Sequence, residues 1–175
     1  NAGYFRKTIM STTGNRIVIQ DLMNSSGVRF GTSGARGLVA DMSDEVCFAY
    51  TSAFLNSVVT TRGSVALAMD LRPSSPRIAA ACAAAIWNAG LSVEFCGAIP
   101  TPALAFYAQQ QGLPAIMITG SHIPFDRNGI KFYRVSGEIT KTDESRIASA
   151  VVSLPSAGLV TGLPDSNPEA RQCYI

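Results

Sequence analysis

The sequence has little charge and a single histidine, His122, among its 175 residues. Asp, Glu, Lys and Arg make up 15% of the chain, and the formal net charge is +2. Such a chain carries no broad basic field, so a nucleic acid is not expected as a partner, and a local positive patch should serve a small anion. A single histidine also disfavours a Ser-His-Asp triad.

Cysteine spacing gives no sign of a zinc site. The four cysteines are Cys47, Cys82, Cys96 and Cys173. They are far apart and lack the C-x-x-C or Cys/His spacing of zinc ligands. Three of them lie in apolar runs, which favours free buried thiols in a reducing cytosol over a structural disulfide.

No uninterrupted apolar run is long enough to cross a bilayer. Residues 95–125 contain no Asp, Glu, Lys or Arg, but Pro100, Pro102, Gly112 and Pro114 interrupt them. A membrane-spanning helix needs roughly 20 consecutive apolar residues. The N-terminus also lacks the apolar core of a signal peptide. We therefore expect a cytoplasmic protein without a membrane partner.

Short apolar strands alternate with helical segments along a chain that is 47% apolar. The predicted strands are Val28–Phe30, Val65–Met69, Ser92–Cys96, Ala115–Ile118 and a return strand near 130–134. The alternation predicts a three-layer α/β/α sandwich with a mixed, mostly parallel sheet. The return strand should run antiparallel, because the loop before it contains no helix.

Caps and helix breakers predict where the helices begin and end. Ser43 before two acids and Ser75 before a proline each predict a helix start. A third helix is predicted over Ala103–Gln111, and a last one is capped by Thr140 or Thr142. The apolar face of that last helix is predicted to comprise Ile147, Ala150, Val151 and Leu154.

Composition divides the chain into three parts. We expect residues 1–26 to form a leader with a possible short strand at 16–19, and residues 27–155 to form the main domain. Residues 156–175 should be a linker and the start of a truncated second domain, because the segment is rich in Pro, Gly and Ser before a pattern resumes at its end. The expectation is a piece of a longer protein.

Ligands bind at the carboxyl ends of the strands in open α/β sheets, and four loops should meet there. These loops are residues 31–37, 70–75, 97–102 and 119–129. The first reads G-x-x-G-x-x-G and matches neither the dinucleotide fingerprint nor the P-loop. Thr32, Ser33 and Arg36 could offer hydroxyls and a guanidinium to a phosphate, and the alternative is a plain turn.

The loop at 119–129 places a hydroxyl, that of Ser121, among positive side chains. Its flanks do not match the G-x-S-x-G of a serine hydrolase. His122 is a poor base for Ser121, because adjacent side chains in extended backbone point apart. Arg127, Lys131 and Arg36 suit an anionic group attached to this hydroxyl. We therefore predict that Ser121 carries a phosphoryl group.

Four segments also occur in a specific order. They are Phe30–Gly37, Met69–Ser75, Pro100–Ala103, and Thr119–Pro124 followed by Asn128–Lys131. Together they resemble the alpha-D-phosphohexomutases, a family that includes phosphomannomutase, phosphoglucomutase and phosphoglucosamine mutase; the last segment resembles its phosphoserine loop. Ile123 stands where that loop usually has asparagine, which leaves the serine, histidine and lysine in register.

The resemblance implies reversible phosphoryl transfer between the 1- and 6-positions of a hexose phosphate. Phospho-Ser121 would give its phosphoryl group to the sugar, and the hexose 1,6-bisphosphate would reorient and return the other one. Mg²⁺ would bind an oxygen of that phosphoserine together with an aspartate-rich loop. The expected catalytic residues are Ser121, His122, Lys131 and Arg36, and the expected phosphate contacts are Thr32, Ser33, Arg36, Arg127 and Lys131.

The sequence also departs from the family. The aspartate-rich metal loop and the later sugar-recognition segments are not found in these residues, so the match covers only the first of four domains. We therefore expect this chain alone to turn over no sugar phosphate and to work with the remaining domains of the same enzyme. Phosphomannomutase is the favoured member, with phosphoglucosamine mutase and phosphoglucomutase as alternatives. A non-catalytic anion-binding scaffold and a serine hydrolase are the rival classes.

Overall fold

A seven-stranded mixed sheet forms the centre of the computed structural model, which describes residues 16–174. The strands in this range are β1 (Arg16–Val18), β2 (Arg29–Phe30), β3 (Gly34–Leu38), β4 (Ser64–Met69), β5 (Ser92–Ala98), β6 (Ala115–Ile118), β7 (Arg127–Arg134), β8 (Gly137–Glu138) and β9 (Val151–Ser153). The central sheet has the order β2-β3-β7-β6-β4-β5, with β8 paired to β7, while β1 and β9 form a separate pair.

Helices cover both faces of this sheet. They are α1 (Ile19–Ser26), α2 (Asp44–Ser57), α3 (Ser75–Asn88), α4 (Thr101–Gln111), α5 (Lys141–Ala148) and α6 (Glu169–Gln172). The larger apolar core lies between α2, α3 and one sheet face, and includes Phe54, Ile78 and Phe132. The smaller core lies against α4 and includes Leu104 and Met117. The predicted three-layer sandwich is confirmed.

The parallel part of the sheet is confined to three strands. β4 pairs in parallel with β5 and β6, whereas β7 runs antiparallel to both β6 and β3. The mixed sheet and the antiparallel return strand are therefore confirmed, although β7 begins at Arg127. The sheet is less parallel than predicted, because β3 and β8 each pair antiparallel with β7. The sequences of these two strands show no alternation of apolar and polar residues, so neither strand was predicted.

The glycine-rich segment 31–37 is mostly a strand, which corrects the predicted loop. Only Gly31–Ser33 form a turn, in which the Gly31 amide donates to the Gly34 carbonyl at 2.8 Å. Gly34 opens β3, and a Cβ there would lie 2.1 Å from the Ile130 carbonyl oxygen. Glycine is thus needed for the close approach of β3 to β7.

The helix predicted to reach Leu154 ends at Ala148. Its cap is Thr140, whose hydroxyl accepts from the Asp143 amide, while the Asp143 carboxylate accepts from the Thr140 amide. Beyond the helix, residues 151–153 pair antiparallel with β1. The prediction of Ala150, Val151 and Leu154 on a helical face is wrong, because the β-branched valines there join a two-stranded ladder instead.

Two other helix starts differ by one or two residues. The helix predicted to be capped by Ser75 begins at that residue, because the Ser75 hydroxyl donates to Asp70 instead of accepting from the helix. The third helix begins at Thr101, two residues earlier than predicted.

The described part of the expected leader packs on the main core. Ile17, Ile19 and Leu22 are buried in it. Residues 1–15 of that leader lie outside the described residues. Among residues 16–174, no helix combines the length and apolar character that crossing a bilayer requires. Cys47, Cys82 and Cys96 are buried free thiols, whereas Cys173 is exposed.

Candidate functional site

Ser121 lies just beyond the carboxyl end of β6, with its side chain in solvent. Its backbone has a φ of +51°, in the left-handed region that non-glycine residues seldom adopt. Its amide donates to the Thr119 hydroxyl oxygen at 2.9 Å. His122 is exposed next to it. Local hydrogen bonding thus presents the serine hydroxyl outward, as a nucleophile or a phosphoryl carrier requires.

Asp70 connects the end of β4 to the serine loop. The Asp70 amide donates to the Ile118 carbonyl, and one carboxylate oxygen accepts from the Gly120 amide at 2.9 Å. The other oxygen accepts from the Ser75 hydroxyl at 2.5 Å. Burial raises the pKa of Asp70, but hydrogen bonds from Ser75 and from the Gly120 and Arg72 amides outweigh it and lower the pKa overall.

Arg72 donates to four backbone carbonyls of the serine loop. The acceptors are the carbonyl oxygens of Ile123 (2.6 Å), Pro124 (2.7 Å), Arg127 (3.1 Å) and Ser121 (3.4 Å). Its Nε atom lies 3.4 Å from the Asp70 carboxylate. The segments 70–75 and 119–127 therefore form one hydrogen-bonded unit at the carboxyl ends of β4 and β6.

Asn128 closes the same unit from the far end of the loop. It is fully buried, and its amide nitrogen donates to the hydroxyls of Ser74 (2.8 Å) and Ser75 (3.0 Å). Its side-chain oxygen accepts from the Gly129 amide at 2.8 Å. All the hydrogen-bonding groups of this buried side chain find partners except the second acceptor position of the oxygen.

The predicted cations share one face of the sheet. Arg36 pairs in register with Gly129, and Lys131 pairs with Gly34 and Met117. Because side chains alternate along a strand, Arg127 and Lys131 of β7 point to the same side as Arg36 of β3. The Arg36 side chain passes within 3.1 Å of the position that a Cβ at Gly129 would take. Gly129 in turn accepts from the Thr119 amide, two residues before Ser121.

Glu138 occupies part of this positive face. Its carboxylate accepts from the Ser33 hydroxyl at 2.5 Å and lies 3.4 Å from the Lys131 ammonium. The Ser33 hydrogen bond is the main cause that lowers the pKa of Glu138; burial opposes it, and the charge and hydrogen bond of Lys131 add smaller lowering effects. Ser33 and Lys131 thus share one carboxylate as their partner. Thr32 is exposed in the turn.

A cleft of about 420 Å³ opens between one face of α4 and the β7–β8 hairpin. Lys131, Tyr133 and Glu138 line one wall, and Thr101 and Gln109 line the other. Ile99 of the predicted 97–102 loop donates to the Met69 carbonyl at 3.2 Å, so this loop also lies at the carboxyl end of β4. Segments 70–75, 97–102 and 119–129 thus lie together at the carboxyl ends of parallel strands, and segment 31–37 approaches them through Arg36 and Gly37, which pair with Gly129 and Asn128.

Sequence reasoning missed three residues of the site, Asp70, Arg72 and Asn128. A usable signal existed for the first two, since an aspartate and an arginine follow directly on the wholly apolar run of β4. The residue type of Asn128 gave none, because an asparagine beside a glycine is typical of a turn. Only the resemblance of Asn128–Lys131 to the family pointed to this residue. In residues 16–174, no group of three or more His, Cys, Asp or Glu side chains could bind a metal ion.

Comparison with known proteins identifies the family. Residues 27–156 match the family described as phosphoglucomutase/phosphomannomutase, alpha/beta/alpha domain I. The chain belongs to the phosphoglucomutase/phosphomannomutase family. A phosphomannomutase of Salmonella muenchen is 58% identical over 130 residues, which cover 73% of this chain and 27% of that protein.

Other members of the phosphoglucomutase/phosphomannomutase family are less similar. A phosphomannomutase of Sinorhizobium fredii is 43% identical over 85% of this chain and 34% of its own length. A crystal structure described as a putative phosphomannomutase from Thermus thermophilus superposes with a TM-score of 0.64 at 28% identity, over 69% of this chain and 29% of that one. The chain thus spans about a third or less of the relatives it matches.

Proposed function

We propose that this chain is the phosphoserine-bearing domain of a phosphohexomutase of the phosphomannomutase type. The observation that carries the proposal is the placement of Ser121: an exposed hydroxyl on a backbone fixed at the carboxyl ends of parallel strands, beside strands that carry Arg36 and Lys131 on one face. Phosphoryl transfer needs positioning and charge neutralisation more than covalent chemistry, and this arrangement supplies both.

The proposed reaction has two balanced transfers. In the first, the phosphorus–oxygen bond of phospho-Ser121 breaks while a bond forms from phosphorus to a free sugar hydroxyl. The proton of that hydroxyl leaves through Lys131 or His122, and the released Ser121 oxygen gains a proton. The hexose 1,6-bisphosphate then reorients. In the second, the bond from the other phosphoryl group to its sugar oxygen breaks while a bond forms from phosphorus to the Ser121 oxygen, which loses its proton, and the sugar oxygen gains one. Arg36, Arg127, Thr32 and Ser33 would bind the phosphoryl oxygens.

The one Mg²⁺ ligand that we propose from this chain is a phosphoryl oxygen on phospho-Ser121. The described residues lack a carboxylate set that could bind the ion by themselves, so its other ligands would come from further domains. Those domains, together with a hexose phosphate, are the proposed partners, and the cytoplasm is the proposed location. The 175 residues alone should turn over no sugar phosphate.

Phosphate on Ser121 is the decisive measurement. Peptide mass spectrometry of the protein purified from cells should find one phosphoryl group on Ser121, and Ser121→Ala should lose it. Hexose 1,6-bisphosphate should restore the group to dephosphorylated full-length protein. A protein that never gains phosphate on Ser121 would instead be an anion-binding scaffold, and labelling of Ser121 by a fluorophosphonate would revive the serine hydrolase.

The preferred sugar is proposed as mannose phosphate, because the relatives of highest identity described above are phosphomannomutases. Phosphoglucosamine mutase is a second candidate, since one from Thermosipho africanus is 38% identical over 119 residues. Turnover of the 1-phosphates of mannose, glucose and glucosamine by the full-length protein should separate these candidates, with mannose 1-phosphate giving the highest kcat/KM.

A further inference from the structure

Arg72 has a hydrogen-bond pattern that differs from that of a phosphate-binding arginine. A guanidinium has five N–H groups arranged as a fork. In this structure four contacts go to backbone carbonyls between residues 121 and 127, and Nε faces the Asp70 carboxylate at 3.4 Å. The four N–H groups of the two terminal nitrogens thus all have protein acceptors, and the fifth, on Nε, faces the Asp70 carboxylate as an ion pair.

The carbonyls that Arg72 contacts belong to a turn segment that has few other restraints. Within it, the Ile123 amide donates to the Gly120 carbonyl and the Arg127 amide to the Pro124 carbonyl, and from outside it the Val39 amide donates to the Asp126 carbonyl at 2.8 Å. The side chains of this segment are mostly exposed, and Phe125 is 89% exposed. Apolar packing therefore contributes little here, and the guanidinium, whose side chain is only 18% exposed, is the centre about which the segment is ordered.

Gly120 provides the space that this arginine needs. A Cβ at Gly120 would lie 2.1 Å from both the Cζ and Nε atoms of Arg72. The φ of Gly120 is outside the left-handed region, so alanine would be compatible with the backbone and would fail only by contact with the guanidinium. The position of the Arg72 guanidinium thus requires glycine at residue 120.

We infer that Arg72 is a positioning residue for the nucleophile: its fork sets the place and orientation of the Ser121 backbone without touching the substrate. The inference rests on the proposed function for its catalytic consequence, whereas its structural part concerns the loop alone. A displacement of about 1 Å at a reacting group can cost about 100-fold in rate. Arginine is required because a lysine has the charge but not the planar fork.

Amide hydrogen exchange tests the structural part directly. In Arg72→Met and in Gly120→Ala, the amides of Ile123 and Arg127 should exchange at least about ten-fold faster than in the wild type. Local opening of the segment costs less free energy in these variants, because the hydrogen bonds to the guanidinium no longer have to be broken. Arg77→Met is the matched control, because Arg77 makes an exposed ion pair with Asp44 at 2.8 Å. Unchanged exchange in both loop variants would overturn the inference, and a preserved urea midpoint excludes global unfolding as the cause.

Kinetics of the full-length protein test the catalytic part. Arg72→Met should lower kcat about 100-fold while KM stays within about two-fold, because the lost interaction affects placement and not substrate binding. Arg72→Lys should stay within about three-fold of Arg72→Met, because lysine lacks the fork. A rate restored by lysine would mean that charge alone matters, and a rise in KM at constant kcat would mean a substrate contact; either result overturns the positioning role.

The two measurements separate this inference from the proposed function. A wild-type protein that gains no phosphate on Ser121 rejects the phosphohexomutase reaction, yet faster loop exchange in Arg72→Met would still establish the structural part. A wild-type protein that gains phosphate normally, with Arg72→Met equally fast, rejects the positioning role and leaves the proposed function intact.

Discussion

The two sides of the candidate site are built by different means. On the nucleophile side, formed by segments 70–75 and 119–129, most bonds end on backbone atoms. The side chains that make these bonds, those of Asp70, Arg72 and Asn128, are buried or mostly buried. On the cation side, formed by β3, β7 and β8, the bonds join the tips of side chains, and Glu138 is 48% exposed in its side chain.

This contrast matches two different physical demands. A nucleophile must keep one position, which hydrogen bonds to the backbone can fix, because backbone atoms have few alternative places. Cations that receive a phosphoryl group must release one anion and accept another. The pair of Lys131 and Glu138 separates at small cost, because it is 3.4 Å long and its carboxylate is 48% exposed. Rigid and exchangeable parts of the site thus lie on neighbouring strands.

The close contact between β3 and β7 at Gly34 should be the position where a substitution lowers the free energy of unfolding most. Gly34→Ala places a Cβ against the Ile130 carbonyl. Strand β3 must therefore move away from β7, and Arg36 moves with β3. We expect a loss of at least about 3 kcal/mol in the free energy of unfolding, measured in urea. Gly162→Ala is the control, because no atom lies within 4 Å of a Cβ there, and it should change the value by less than about 0.5 kcal/mol.

Asn128 tests the rigidity of the nucleophile side. Asn128→Ala removes the partner of two serine hydroxyls and of one backbone amide in a fully buried place. The expected loss is about 2–3 kcal/mol in the free energy of unfolding, because buried polar groups are left unsatisfied. Asn56→Ala, on the exposed end of α2, should be nearly neutral. Equal effects of the two substitutions would contradict the contrast drawn above.

Acid should weaken the nucleophile side through Asp70. Its pKa is lowered in the folded state, so its contribution is present above the unfolded value, about 3.9, and is lost as the pH falls through the folded value. Asp70→Asn should therefore cost about 1–2 kcal/mol of unfolding free energy at pH 7, and the difference from the wild type should shrink below about pH 4. The exposed Asp165→Asn serves as control, and a difference independent of pH would argue against this role of the carboxylate.

The smallest effect on stability is expected on the exchangeable side. Glu138→Gln should change the free energy of unfolding by less than about 0.5 kcal/mol, as for other exposed pairs. Affinity for inorganic phosphate, followed by ³¹P NMR, should nevertheless rise about two- to five-fold, because Lys131 loses its competing carboxylate. Glu144→Gln, which removes the partner of Lys141 on α5, should leave phosphate affinity unchanged.

Strands β4 and β6 could be predicted because their runs Val65–Met69 and Ala115–Ile118 are wholly apolar. The run Ala115–Ile118 is buried throughout and was predicted with its observed limits, and β4 differs from its prediction by one residue. Burial on both faces leaves a signal in composition itself. By contrast, β3 reads Gly-Ala-Arg-Gly-Leu, where the glycines are needed for strand contact and erase the usual alternation.

The reactive and charged residues of the site could be predicted from the sequence, but the hydrogen bonds that position them could not. Ser121, Lys131 and Arg36 are recognisable because each carries a reactive or charged group, although their roles remain predictions. The contacts of Arg72 with the serine loop span about fifty positions in the sequence and end on carbonyl oxygens, which every residue has. No residue pattern encodes such acceptors, so only the fold reveals them.

The left-handed backbone at Ser121 also restricts which hydroxyl amino acid can stand there. Threonine could carry a phosphoryl group just as well by its chemistry, yet its branched β-carbon is poorly tolerated at a φ of +51°. A change of one methyl group would thus force either a different turn or a misplaced oxygen. The local conformation, and not the reactivity of the alcohol, selects serine over threonine at this position.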